Sequence, residues 1–122
     1  MSGYLDYLSK REEVQQKEIE RYRQQKRQKL LKAIIELSQK YDNLKQVIVF
    51  GSFIQEHFKT SSDLDLYLEN ISPKEYYEIK RFIEDRINMP VDLYTQSSDT
   101  GFIKKIKKRG ELIYERKNNE SY

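Results

Sequence analysis

Hydrophobic positions change their spacing along the chain, and each change predicts a different structural element. Between residues 4 and 40 there is no proline or glycine, and strong helix formers dominate. This stretch therefore predicts one long helix, with a break near Ser9 as an alternative. Its second half has an apolar face at helical spacing that can cover a sheet, formed by Leu30, Leu31, Ile34, Ile35 and Leu37. Residues 10–29 carry few large apolar side chains, so we expect them to contact a partner or to extend into solvent.

Four shorter hydrophobic runs predict strands. Residues 47–50 are β-branched or aromatic throughout, which is typical of a central strand buried on both faces. Residues 63–69 alternate in polarity at their start, and residues 91–95 follow a proline. The run at residues 112–114 completes the set, so the sequence predicts a sheet of about four strands.

Further helices are predicted between these strands. A short helix is expected to follow the first strand and to end at His57. Ser72 precedes Pro73 and is followed by Glu75, which predicts a capping box at the start of a helix that runs to residue 88. The last helix is expected over residues 99–108. The predicted order is α-β-α-β-α-β-α-β.

The size and charge distribution limit the domain organisation and the classes of partner. The 122 residues allow one small domain, which we predict to comprise a basic helical extension (1–29), a folded domain (30–116) and a flexible tail (117–122). The extension carries eight Lys/Arg and five Asp/Glu, whereas residues 30–122 carry fifteen of each. A neutral folded domain argues against nucleic acid as a partner, because phosphate neutralisation supplies most nonspecific affinity.

The composition also predicts where the protein resides. Cysteine is absent, no apolar run approaches the roughly 20 residues needed to cross a bilayer, and the N-terminus lacks the layout of a signal peptide. We therefore expect a cytoplasmic protein without a membrane partner.

Three acidic residues stand out as candidate catalytic and metal-binding residues. Asp63 and Asp65 lie two residues apart in a predicted strand, so they share one face at a spacing of about 7 Å. The leucines between and after them face the core. Asp92 also lies between two apolar residues, so it is expected to emerge on the same acidic face.

These residues suit the chemistry of phosphoryl or nucleotidyl transfer. Such reactions need Mg²⁺, correct placement of the phosphates and relief of charge, and carboxylates on a rigid strand can bind two metal ions. Gly51 and Ser52 are candidate nucleotide-binding residues at the end of the first strand. Glycine allows close approach of the backbone to a phosphate, and the serine hydroxyl can donate a hydrogen bond.

The chain resembles a known family. Gly51-Ser52, followed after ten residues by Asp63-Leu64-Asp65 and later by Asp92, is similar to the signature of the DNA polymerase beta-like nucleotidyltransferase superfamily, specifically its minimal nucleotidyltransferases. The resemblance covers about residues 30–116. It implies an α+β fold with a mixed sheet and helices on one face.

The resemblance also implies a function. Members of this group transfer a nucleoside monophosphate, here AMP from ATP, to a hydroxyl with the help of two Mg²⁺ ions. Carried over by position, Gly51 and Ser52 would bind the triphosphate, Asp63 and Asp65 the metals, and Asp92 would either bind the second metal or accept the proton of the acceptor hydroxyl. The minimal enzymes often act as antitoxins that adenylylate a tyrosine of a helical HEPN protein, so a HEPN-like partner is expected.

Two other functions are consistent with the same sequence features. A homodimer could complete an acceptor pocket for a small molecule, which would make the protein a small-molecule nucleotidyltransferase. The chain could also neutralise a partner by binding alone, with an acidic cluster that is not used in catalysis.

Overall fold

Most of the predicted elements are present in the computed structural model, which describes residues 3–117. In chain order the elements are α1 (Gly3–Lys40), β1 (Gln46–Phe50), a 3₁₀ helix (Gly51–Ile54), β2 (Leu64–Glu69), α2 (Pro73–Ile87), β3 (Val91–Thr95), α3 (Thr100–Arg109) and β4 (Glu111–Glu115). Residues 118–122 of the predicted tail lie outside the described residues. No helix in the described range is long and apolar enough to cross a membrane.

The four strands form one mixed sheet in the order β3-β2-β1-β4. β1 is antiparallel to both of its neighbours, and β2 is parallel to β3. β1 is therefore a central strand, and its residues Val47, Ile48 and Val49 are buried on alternating faces, as its apolar sequence predicted. The predicted α+β class with a mixed four-stranded sheet is confirmed.

The two faces of the sheet are covered by different helices. α1 and α2 pack on one face, where alternate strand residues join the main core. α3 contacts the opposite face, where Ile106 packs against Ile48 and Tyr67, so the expectation that the helices pack on one face does not hold for α3. The connection between β3 and β4 must cross from one edge of the sheet to the other, and α3 makes this crossing over the face that α1 and α2 leave open.

α1 is a single helix of 38 residues and continues through Ser9, so the alternative with a break there is wrong. Serine costs only a few tenths of a kcal/mol in a helix, which the surrounding helix formers offset. The buried residues of α1 all lie in its second half, from Lys26 to Leu37. Tyr4 and Val14 are exposed, so the N-terminal part of the helix extends away from the core.

The short helix predicted to end at His57 is wrong in type and length. The chain forms only a 3₁₀ helix at residues 51–54, and Gln55 already has extended dihedral angles. Phe53 and Phe58 are both buried, with their ring centroids 5.2 Å apart. Residues five positions apart do not share one face of an α-helix, so burying both rings requires the helix to end between them.

α2 forms as predicted. The backbone N–H of Ser72 donates to the Glu75 carboxylate at 2.8 Å, as expected for the predicted capping box. Ile79, Ile83 and Ile87 are buried at helical spacing. The helix ends at Asn88 in the left-handed conformation, which leads directly into β3.

Candidate active site

Asp65 and Asp92 lie side by side on neighbouring strands. β2 and β3 are parallel, and their register pairs Leu64 with Val91 and Asp65 with Asp92. The apolar pair enters the main core, so the two aspartates face the opposite side of the sheet. The structure thus brings together two of the three carboxylates singled out in the sequence.

The surroundings of Asp65 disfavour its negative charge. Burial, followed by the charges of Asp92 and Asp63, raises the pKa of Asp65 from 3.8 to about 6, and a hydrogen bond with the Asp92 side chain acts in the same direction. Around neutral pH the three carboxylates therefore form a site with unfavourable negative charge that a cation would relieve.

Asp63 lies at the rim of this site. It is exposed and precedes the first residue of β2, so the strand pairing does not fix it as firmly as it fixes Asp65. It is close enough for its charge to raise the pKa of Asp65. Within residues 3–117, however, no three acidic or histidine side chains already surround one point in the manner of a complete metal site. The structure thus provides a close pair and a third carboxylate beside it.

The predicted nucleotide-binding residues adjoin the acidic pair. Gly51 follows the last residue of β1, Phe50, which is paired in register with Asp65. Gly51 has a φ of +75°, and a Cβ atom at this position would lie 2.2 Å from Oδ2 of Asp65. Only glycine permits both the left-handed turn and this close approach. Ser52 is the next residue and is half-buried.

Three aromatic rings form a wall beside the carboxylates. The ring centroid of Phe50 lies 5.4 Å from that of Tyr94 and 5.9 Å from that of Phe102, and the last two are 5.2 Å apart. Burial, followed by the charges of Asp65 and Asp92, raises the pKa of the Tyr94 hydroxyl. Phe50 is paired in register with Asp65, and Tyr94 follows Asp92 by two residues on β3, so the wall adjoins the acidic pair.

Tyr67 also faces the acidic side of the sheet, but its contacts support the fold. It is 1% exposed, and its hydroxyl donates to Glu69 at 3.0 Å. Lys107 of α3 donates to the same carboxylate at 2.8 Å. This network attaches α3 to β2 and so supports the aromatic wall.

Sequence reasoning missed the contribution of the middle of α1. The sequence predicts an extension over residues 1–29, yet Arg23, Lys26 and Arg27 contact the folded domain through polar groups. A signal was present, because Ile19, Tyr22 and Lys26 continue at helical spacing the stripe that begins with Leu30.

Comparison with known proteins identifies the family of the chain. The family described as "Polymerase beta, Nucleotidyltransferase" matches residues 32–119 of the chain. The chain belongs to the polymerase beta nucleotidyltransferase family. The family predicted from the Gly-Ser and Asp-x-Asp pattern is thereby confirmed.

Proteins of similar sequence come from Methanocaldococcus jannaschii. One, named "putative protein adenylyltransferase", is 35% identical over 65 residues, which span 51% of this chain and 65% of the relative. A second protein with the same name is 32% identical over 66 residues, which span 52% of this chain and 76% of that protein.

Solved structures of toxin–antitoxin complexes have a similar fold. A chain from a toxin–antitoxin complex with AMP-PNP aligns with a TM-score of 0.62 at 19% identity, covering 73% of this chain and 76% of that one. A chain from the Shewanella oneidensis complex of a tri-AMPylated HEPN toxin with an MNT antitoxin aligns with a TM-score of 0.58 at 17% identity, covering 75% and 73%. At these identities the likeness is one of fold.

Proposed function

We propose that this protein is a Mg²⁺-dependent nucleotidyltransferase that moves AMP from ATP onto a hydroxyl, and that the acceptor is a tyrosine of a HEPN-like toxin. The observation that supports this most strongly is the pairing of Asp65 with Asp92 directly against Gly51, with Asp63 at the rim. This arrangement places candidate metal ligands beside a turn suited to phosphate in a chain of the nucleotidyltransferase family.

Asp63, Asp65 and Asp92 would hold two Mg²⁺ ions. Carboxylate oxygens are the ligands that Mg²⁺ prefers. The raised pKa of Asp65 supports a cation here, since burial and then the neighbouring carboxylates disfavour its negative charge. When bound, the ions neutralise the phosphate charge that develops during the transfer.

The protein's own groups account for the remaining steps. The backbone at Gly51 and the hydroxyl of Ser52 bind and orient the triphosphate, and the aromatic wall excludes water from one side. The acceptor oxygen forms a bond to the α-phosphorus while the bond from that phosphorus to the pyrophosphate oxygen breaks. The acceptor proton passes to the exposed carboxylate of Asp92, and pyrophosphate leaves.

The similar proteins support a protein acceptor. The archaeal relatives are named as protein adenylyltransferases, and an AMPylated HEPN toxin accompanies the MNT antitoxin in one of the similar structures. On this proposal the protein neutralises its partner by covalent modification.

The proposal can be tested with the purified chain, Mg²⁺, ATP labelled at the α-phosphate and a HEPN-like protein from the same genome. We expect label on a tyrosine of the partner. Asp63→Asn, Asp65→Asn and Asp92→Asn should each abolish the labelling, whereas Asp85→Asn, an exposed carboxylate on α2, should leave it unchanged. Neutralisation of the partner that survives intact in Asp65→Asn would instead indicate an antitoxin that acts by binding alone.

A further inference from the structure

A side chain from the middle of α1 holds the loop that follows β1. One terminal nitrogen of Arg23 donates to the backbone carbonyl of Phe53 at 2.8 Å and to that of Gln55 at 2.9 Å. The other terminal nitrogen donates to Glu20 at 2.9 Å. The Arg23 side chain is only 11% exposed, and its bond to Phe53 is partly buried. Planar guanidinium groups suit such a two-carbonyl contact, because their donors are fixed in a fork.

Aromatic packing strengthens the same contact. The guanidinium carbon of Arg23 lies 5.0 Å from the centre of the Phe58 ring, and that of Arg27 lies 5.7 Å from the centre of the Phe53 ring. Arg27 also forms an ion pair with Glu111 at the start of β4. Two cations of α1 thus pack against both rings of the loop.

The loop held in this way begins with the candidate phosphate turn. The 3₁₀ helix has only four residues, and its own closing bond runs from the N–H of Gln55 to the carbonyl of Ser52 at 3.0 Å. So short a helix is weakly stabilised by its own hydrogen bonds. Arg23 fixes the carbonyls at its C-terminal end, and Gly51 at its other end lies against Asp65. The position of Ser52 therefore depends on a contact from α1.

We infer that Arg23 is a positioning residue for the triphosphate site, an inference that rests on the proposed function. Arg23 lies outside residues 32–119, which match the family. The contact that positions the turn therefore comes from the N-terminal extension and not from the matched domain. Arg23 acts through the turn and does not itself touch the nucleotide. Its loss should weaken nucleotide binding more than it slows the chemical step.

Lys26 provides a matched comparison. Like Arg23, it is a basic residue of α1 and is largely buried, at 8% exposure. Its ammonium group donates to the carbonyls of Ile87 and Asn88 at 2.7 and 3.1 Å. These carbonyls lie at the end of α2, whereas those that Arg23 binds belong to the 51–55 loop. Lys26→Met should destabilise the fold while leaving the hydrogen bonds to the turn in place.

The experiment compares Arg23→Ala, Arg23→Lys, Lys26→Met and the exposed-site control Arg21→Ala in the full chain. Thermal unfolding, affinity for a fluorescent ATP analogue with Mg²⁺, and hydrogen exchange of a peptide covering residues 51–55 are measured. We expect Arg23→Ala to raise Kd and KM for ATP about tenfold with a smaller change in kcat, since a displaced turn loses binding geometry. Arg23→Lys should recover part of the affinity, and Arg21→Ala should resemble the wild type.

Two results would overturn the inference. One is unchanged exchange at residues 51–55 in Arg23→Ala. The other is that Arg23→Ala and Lys26→Met lose affinity for ATP in the same proportion to their loss of thermal stability. A wild-type chain that binds no ATP, while Arg23→Ala still accelerates exchange at residues 51–55, would refute the proposed function and leave the positioning of the turn supported.

Discussion

Gly51 lies directly against the carboxylate of Asp65. Gly51 directly follows β1, Asp65 lies on the adjacent strand β2, and a Cβ atom on Gly51 would stand 2.2 Å from Oδ2 and 3.2 Å from Cγ of Asp65. The backbone of the turn therefore adjoins Asp65, whose pKa burial and the neighbouring carboxylates raise to about 6 and for which we propose a metal-binding role. Metal binding and phosphate binding, as proposed here, would be coupled through this one contact.

Gly51→Ala tests that contact. The substitution introduces a side chain at a φ of +75° and forces the turn away from Asp65. We expect a loss of about 1–3 kcal/mol in the free energy of unfolding, the usual cost of strained backbone, together with loss of AMP transfer. Urea unfolding and a labelling assay measure the two effects. Gly3→Ala is the control, because a Cβ there would meet no atom within 4 Å. Full activity in Gly51→Ala would show that the close approach is not needed.

Asp65→Asn should change how stability depends on pH. Because the folded pKa of Asp65 is raised from 3.8 to about 6, the native state holds more protons than the unfolded state between these values. The free energy of unfolding therefore falls as pH rises through this window, and the full cost is present above about pH 6. Removing the charge should stabilise the metal-free protein by about 1–2 kcal/mol at neutral pH, after allowance for screening by solvent.

Urea unfolding at several pH values in the presence of a chelator measures this effect. The stability curves of wild type and Asp65→Asn should converge below about pH 4, where both states of the wild type are protonated. Asp85→Asn should follow the wild type throughout. An Asp65→Asn variant less stable than wild type at neutral pH would contradict the proposed electrostatic cost.

Sequence patterns predicted the local elements of this fold and the directions of their side chains. The alternation around Asp65 and Asp92 correctly placed both carboxylates on the face opposite the core, because strand periodicity fixes which side chains share a face. The proline and capping residues correctly located the start of α2.

Contacts between distant parts of the chain were not predictable in this way. Periodicity does not specify which backbone carbonyls a charged side chain will reach, so the link from Arg23 to Phe53, 30 residues away, was missed. It also does not specify on which face a crossover helix lies. The position of Phe102 beside Tyr94 follows from the path of α3 across the sheet, which depends on strand order.

Mg²⁺ should stabilise the wild-type protein against unfolding. A ligand that binds only the native state adds about 1.4 kcal/mol when its concentration is ten times its Kd. Burial and the repulsion among the carboxylates both disfavour the negative charge of Asp65, and a bound cation offsets them, so Asp65→Asn and Asp92→Asn should lose most of this effect. Thermal unfolding with and without Mg²⁺ makes the measurement. If Asp65→Asn and Asp85→Asn respond to Mg²⁺ alike, the ion binds elsewhere.

Phe102→Ala should lower the pKa of Asp65. Burial is the largest cause of the raised value, and Phe102 packs edge-on against Phe50 and Tyr94 in the wall beside the carboxylates. Removing this ring admits water, which favours the charged form, so the pKa should move from about 6 toward the ordinary value of 3.8. The carboxyl carbon chemical shift of Asp65, followed by NMR across a pH titration, reports the change directly.

The matched control for this substitution is Tyr77→Ala. Tyr77 is also an aromatic residue at the surface, 76% exposed, but it lies on α2, which packs on the other face of the sheet. It should leave the titration of Asp65 unchanged. Phe102 is 37% exposed, so its removal should cost about 1 kcal/mol or less in stability and keep the fold intact for the titration. An unchanged midpoint in Phe102→Ala would assign the raised pKa to the neighbouring carboxylates, in which case Asp92→Asn should lower it instead.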